Sequence, residues 1–237
     1  PITKRKVVVV GSGPAGLTAA ILLRMNGFET VVIEAENKIG GILSTHLPKF
    51  RFDNEILLKK FNELESGIKF IFNTKVGKDI QIDKIFDYDY QVIAIGAESP
   101  IRMIYSENVF SGHEILRKYH DDDLNIKNKK IGVLGCGNVA IDVARSLKKL
   151  GNDVSIIYRR TLENAPATKH ELHDAKIDGI DFKELLSLNT FENNVATFDE
   201  MGLMPKVGNE RQKFYKTGNQ TKENFDILVE AYGSNPV

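Results

Sequence analysis

The chain has 237 residues, 42% of them apolar, and a formal net charge of zero from 32 basic and 32 acidic side chains. That length is enough for two domains with cores of their own, and the balanced charge points neither to nucleic acid nor to an anionic membrane surface. One cysteine excludes an internal disulfide and a self-contained four-cysteine cluster; no apolar run approaches the ~20 residues of a membrane span; and the four valines after Lys4-Arg5-Lys6 are too few for a signal peptide. A reducing cytoplasm is the expected compartment.

The first strand is Lys6 to Val10, whose valine run reads as buried on both faces. Gly11-Ser12-Gly13-Pro14-Ala15-Gly16 follows at once with the G-x-G-x-x-G spacing. An apolar stripe at Leu17, Ala20, Ile21 and Leu23 then predicts a helix ending near Gly27. A second apolar strand, Thr30 to Ile33, ends at Glu34. Together these make a βαβ dinucleotide fingerprint. Gly11 permits a tight turn, Gly13 a close backbone approach to a pyrophosphate, and Gly16 close helix–strand packing, while Glu34 can accept from ribose hydroxyls. Gly40-Gly41, before Ile42 and Leu43, suits either a backbone passing close to a cofactor or an ordinary turn, and Arg51 suits a phosphate or a surface acid. A helix is predicted over 53–66, a strand over 68–72, a turn at 75–77, and a buried strand over 90–97 that ends in the small residues Gly96 and Ala97.

Residues 98–129 form a connection, with a short helix from Ser111 to Tyr119 and solvated charges at Asp121–Asp123 and Lys127–Lys130. The fingerprint then recurs without a gap, Gly135 falling 124 residues after Gly11. Gly135-Cys136-Gly137-Asn138-Val139-Ala140 is the second loop, with alanine in the third position. Where the first unit has Glu34, the second has Tyr158, followed by Arg159 and Arg160. A carboxylate there favours a free 2′-hydroxyl, and arginines favour a 2′-phosphate, the plainer reading being a solvated basic strand end. Cys136 stands at a predicted helix N-terminus, which lowers a thiol pKa, but its place between two glycines suits a small residue facing a pyrophosphate. A helix is predicted over 168–178; His170 and His173 lie on one face of it without further metal ligands in view, so a solvated face is expected. A strand begins at 180–182. Residues 191–217 read as hairpin or loop, and Phe225 to Gly233 repeats the strand-to-glycine pattern of 92–97.

These stretches, taken in order, resemble the FAD- and NADPH-binding part of the glutamate synthase small-subunit-like oxidoreductases, within the two-dinucleotide-binding-domain flavoproteins of the pyridine nucleotide-disulfide oxidoreductase superfamily. The resemblance is carried by Gly11–Leu17, Glu34–Leu43, Leu47–Arg51, Asn73–Ile80, Gly137–Arg145, Tyr158–Arg160 and Pro166-Ala167. It implies an α/β fold of two Rossmann-like domains, the second inserted in the first: an FAD domain of 1–100 plus 225–237, and an NADPH domain of 101–224. It implies FAD binding by Gly11, Ser12, Gly13, Pro14, Ala15, Gly16, Glu34, Ala35, Gly41, Ile42, Leu43, Arg51, Val76, Ala94, Gly96, Ala97 and Gly233. It implies NADPH binding by Gly135, Gly137, Asn138, Val139, Ala140, Arg159 and Arg160. No residue is assigned a catalytic acid–base role and no metal is expected. The implied activity is hydride transfer from NADPH to FAD, with electrons passed to a separate ferredoxin, partner subunit, quinone or small molecule; a homodimer is left open. The alternative is a non-catalytic nucleotide-binding subunit or redox sensor. Within these residues there is no Cys-x-x-Cys for a dithiol relay and no cysteine-rich N-terminal extension. The family's glycine–aspartate segment and final helix, expected after the last strand, are not present. An incomplete chain, weakened flavin binding and a departure from the family all fit that ending.

Overall fold

The computed structural model describes residues 5–52, 56, 59–61, 66–97, 99–205, 208 and 212–235. It divides into two compact units, the first ending at Ser99 and the second running from Pro100 to Asn235. Of the helix expected over 53–66, residues 56 and 59–61 are helical; the others, apart from Gly67-adjacent Ser66 in its turn, lie outside the described residues.

The first unit is a four-stranded parallel sheet of β1 (Lys6–Val10), β2 (Glu29–Ile33), β3 (Lys69–Ile71) and β4 (Tyr90–Ile93), in the order β3-β2-β1-β4. α1 (Pro14–Met25) crosses from β1 to β2, and a short helix α2 (Ile42–Thr45) follows β2. The valine run splits between two faces as strand alternation requires. Val8 and Val10 pack with Ile33 and Ile85, while Val9 packs with Val32 and Ala20 of α1.

The second unit repeats this plan. β5 (Val109–Ser111) and α3 (Gly112–His120) come first. Then follow β6 (Lys130–Leu134), α4 (Asn138–Lys149), β7 (Asp153–Tyr158), α5 (Lys169–Ile177) and β8 (Asp181–Glu184). β9 (Leu186–Glu192), β10 (Val195–Leu203) and β11 (Phe214–Asn224) form a separate antiparallel sheet before β12 (Ile227–Glu230). The parallel sheet has the order β5-β12-β6-β7-β8, so β8-β7-β6-β12 reproduces the order of the first unit and β5 extends it by one strand. Ile131 and Val133 pack under α4, against Ala140, Ile141, Ala144 and Leu147. On the opposite face Leu134, Ile157 and Leu228 meet Ala196 and Phe198 of the antiparallel sheet.

One expectation is corrected. The strand expected to return to the first domain, within 225–237, pairs in parallel with β6 and β5 and belongs to the second unit. Its Leu228 reaches over Gly132, where an added Cβ would lie 2.7 Å from the Leu228 side chain. The stretch at 191–217, expected as hairpin or loop, is antiparallel hairpin over much of its described length. Its first turn is Asn193-Asn194, both at positive φ, the backbone that a tight two-residue hairpin needs.

Glu230, at the end of β12, is buried with its side chain 0% exposed, and Arg102 pairs with it at 2.9 Å. Its other oxygen accepts from the Met103 and Ile104 N–H groups, while the Arg102 Nη2 donates to the Ile104 and Val109 carbonyls. This network fastens the segment entering the second unit to its sheet. Removing one member of a buried pair leaves the other charge uncompensated, so Arg102→Met is expected to lower unfolding free energy by about 3 kcal/mol. Urea titration checks this; a loss below about 1 kcal/mol, typical of exposed pairs, would contradict it.

Candidate functional site

Each unit places a glycine loop between its first strand and first helix, and the backbone around the two loops corresponds bond for bond. The Gly11 N–H donates to the Ile33 carbonyl at 2.8 Å, and Gly135 to Ile157 at 3.0 Å. The next strand leaves beside each loop, Ala94 N–H donating to Val10 and Ala231 N–H to Leu134. The carbonyl of the residue between the first two glycines accepts from the loop after the second strand. Gly40 N–H donates to Ser12, and Ala167 N–H to Cys136.

The glycines have separable reasons. Gly11 and Gly135 have φ of 98° and 123°. An added Cβ would stand 2.4 Å from the Ala94 oxygen in one case and 2.5 Å from the Ala231 oxygen in the other. At Gly16 it would stand 2.0 Å from the Gly11 oxygen, whereas the equivalent Ala140 carries a Cβ and is fully buried. Gly13 and Gly137 are different: an added Cβ meets no protein atom within 4 Å. Their backbone is extended, so they are not needed for folding in place.

Helix capping separates the same elements. α3 begins in a capping box of Ser111 and Glu114, and α5 is capped by Thr168. α1 and α4 begin after Gly13 and Gly137 with no side-chain cap. Gly41 packs against the first loop, an added Cβ there lying 2.9 Å from the Gly13 Cα. Of the other expected residues of the first unit, Pro14, Ala15, Ala35 and Ile42 are exposed, Leu43 and Arg51 half-buried, and Gly96 and Ala97 exposed beyond β4. Val76 is half-buried and packs in the core with Val10 and Ile33. Gly233, expected with the first-unit residues, lies in the second unit, where its carbonyl accepts from Ile101. In the second loop Asn138 is exposed and Val139 half-buried, and the Asn138 side chain accepts from the Thr168 N–H.

The strand ends diverge. Glu34 is buried; one carboxylate oxygen accepts from the Ser12 N–H at 2.7 Å and from the Ser12 hydroxyl, and the other accepts from the Glu36 N–H at 2.8 Å. Its counterpart Tyr158 instead donates its hydroxyl to the Asn164 carbonyl. Arg159 is exposed, but Arg160 is buried at 7% exposure. The Arg160 Nε–H goes to the Gln212 carbonyl at 3.2 Å, and among the described residues neither guanidinium forms an ion pair. Arg102 and Arg145, by contrast, each have two carboxylates within 3.1 Å. A guanidinium fork of this kind is chemically able to take a phosphate bidentately.

The sequence reading missed Phe214 and Gln212 beside these arginines; no local signal tied them to a strand end more than fifty residues earlier. Cys136 is buried, and burial pushes its thiol up to about 12, with the nearby Glu184 charge adding to the rise. The small-residue reading of Cys136 therefore stands over the reactive one. Among the described residues no His, Cys, Asp or Glu cluster could hold a metal, and no helix is long and apolar enough to cross a membrane.

Two parallel α/β units, each with an open glycine loop before an uncapped helix, define a double dinucleotide-binding protein of Rossmann type. The model of the pyridine nucleotide-disulphide oxidoreductases matches residues 5–237, and the chain belongs to that family, whose members bind FAD and NAD(P)H. The glutamate synthase [NADPH] small chain of Escherichia coli is 30% identical over 76% of this chain and 42% of its own length. The NADP(+)-dependent formate dehydrogenase subunit beta of Moorella thermoacetica is 34% identical over 77% of this chain and 27% of its own. The chain thus spans less than half the length of these relatives. In fold it is similar to Mycobacterium tuberculosis FprA in complex with NADPH, with a TM-score of 0.85 and 19% identity over 99% of this chain and 72% of that one.

Two outcomes are expected. Gly11→Ala should cost about 2 kcal/mol, from positive φ and backbone overlap, while Gly13→Ala should stay within about 0.5 kcal/mol of wild type. Thermal melts check this, and equal losses would contradict the distinction. Cys136 should resist iodoacetamide at pH 8 until the protein is unfolded. Because its folded pKa is raised above the ordinary 9.0, stability should fall as pH rises from there toward about 12.

Proposed function

We propose that the first unit holds FAD by its ADP half and the second holds NADPH. The whole protein is then an NADPH-dependent flavin oxidoreductase that passes electrons to a separate acceptor. The observation that carries this reading is the opposite chemistry at two otherwise matching strand ends: a buried carboxylate at Glu34, and an arginine couple at Arg159 and Arg160 that forms no ion pair among the described residues. The relatives' printed names, a small chain and a subunit beta, support a partner chain as the acceptor.

The residues fit both groups. The space beside Gly13 and Gly137 admits a pyrophosphate, and the uncapped N–H groups of α1 and α4 point their partial positive charge at it. A carboxylate offers about four acceptor positions. Three at Glu34 are filled from Ser12 and Glu36, which leaves capacity for a ribose hydroxyl and repels a 2′-phosphate. Gly41 and the backbone beyond Ala94 complete the first binding surface, and Asn138 and Thr168 flank the second. Bound together, the two cofactors supply hydride transfer from nicotinamide to flavin; the protein contributes position and field rather than an acid or base.

An anaerobic visible spectrum tests the reading. With FAD present, flavin bands should appear and bleach with NADPH but poorly with NADH, and replacing Arg159 and Arg160 together by Ala should weaken NADPH about tenfold or more while sparing NADH. Equal losses for both nucleotides would overturn the 2′-phosphate assignment. No flavin bound in excess FAD would overturn the first-unit assignment and favour the non-catalytic alternative.

A further inference from the structure

We infer that Phe214 is a positioning residue for the two arginines, and that the antiparallel sheet between β8 and β12 is the element that sets 2′-phosphate preference in the second unit. This rests on the reading of that unit as the NADPH site.

Phe214 is the first residue of β11 and pairs with Leu203 of β10. The Cζ atoms of Arg159 and Arg160 each lie 4.7 Å from its ring centroid, within the range where a guanidinium is held over an aromatic face. One ring therefore restrains both cations. The approach to β11 is fastened to the same strand end. The Gln212 side chain donates to the Met204 carbonyl at 2.7 Å and accepts from the Asn164 side-chain amide, while the Gln212 carbonyl accepts from the Arg160 Nε–H. Asn164 in turn accepts from Tyr158, the residue standing where the first unit has Glu34. A chain of hydrogen bonds thus runs Tyr158–Asn164–Gln212–Arg160.

The first unit closes its strand end locally, with Ser12 and Glu36 on one carboxylate. The second closes it with an inserted sheet that carries no carboxylate to either guanidinium among the described residues. Long arginine side chains lose much rotamer freedom on gripping an anion. A ring that already confines both removes part of that loss, and it leaves their charge uncancelled, as a carboxylate would not. The ligand this fits is a phosphomonoester dianion on an adenosine ribose. Phe214 touches the two arginines, so its effect belongs in affinity and not in turnover.

The test uses the full chain, with 2′,5′-ADP and 5′-AMP as probes in calorimetric titrations of wild type, Phe214→Leu and Phe214→Trp. Leucine keeps apolar bulk without a π face; tryptophan restores one. Wild type should prefer 2′,5′-ADP. Phe214→Leu should lose about tenfold in 2′,5′-ADP affinity with 5′-AMP unchanged, and Phe214→Trp should recover most of it. With FAD bound, the same loss should appear in KM for NADPH and not in kcat. A folded Phe214→Leu protein that keeps the wild-type preference overturns the role of Phe214 alone. Wild type without any preference overturns the NADPH assignment itself, and this inference with it. If Phe214→Leu does not fold, the Gln212→Ala protein serves in its place, with retained preference contradicting the role of the inserted sheet.

Discussion

The turn at the first loop glycine is the constraint on which both units depend. Strand, loop and helix can follow one another so closely only because a backbone carbonyl from the neighbouring strand occupies the space where a side chain would be. Gly11 faces the Ala94 oxygen, and Gly135 faces the Ala231 oxygen. That crossing fixes where β4 and β12 leave their sheets, and so brings the small residues after each strand beside the glycine loop. It also aims the first turn of α1 and α4 with uncapped N–H groups. A glycine loop of this kind is a backbone device and does not by itself distinguish one nucleotide from another.

The two units differ one strand further on, where the proposed selectivity lies. In the first unit a buried carboxylate is held by three donors from its own neighbourhood, which locks Glu34 in place at the strand end. In the second, tyrosine replaces it, and the charge reverses through Arg159 and Arg160. Among the described residues no carboxylate pairs with the buried Arg160, and burying a cation in that way costs stability. Arg102, by contrast, has the buried carboxylate of Glu230 as its partner.

The βαβ cores were legible because their signals are local. A run of valines, glycines at fixed spacing and a helical stripe lie within thirty residues, and the repeat at a constant offset reinforced them. The helices expected at 111–119 and 168–178 stand as α3 and α5, capped by Ser111 with Glu114 and by Thr168. What failed was non-local. The pattern at 225–233 repeated that at 92–97, and both are strands that leave beside a glycine loop, but pattern alone does not name the sheet. Leu228 over Gly132 and pairing with Val109 decide it. The antiparallel sheet was obscured because much of β11 is exposed and polar, which dilutes strand alternation. Phe214 could not be linked to Arg159 from sequence, since only the hairpin brings them together.

The central claim is that one chain carries two nucleotide sites of opposite 2′ preference. Its most direct test is calorimetric titration of NADP+ into protein saturated with FAD, and of FAD into protein saturated with NADP+. One molecule of each per chain, with neither displacing the other, is the predicted result. Mutual displacement at a single site, or uptake of only one of the two, would contradict the account.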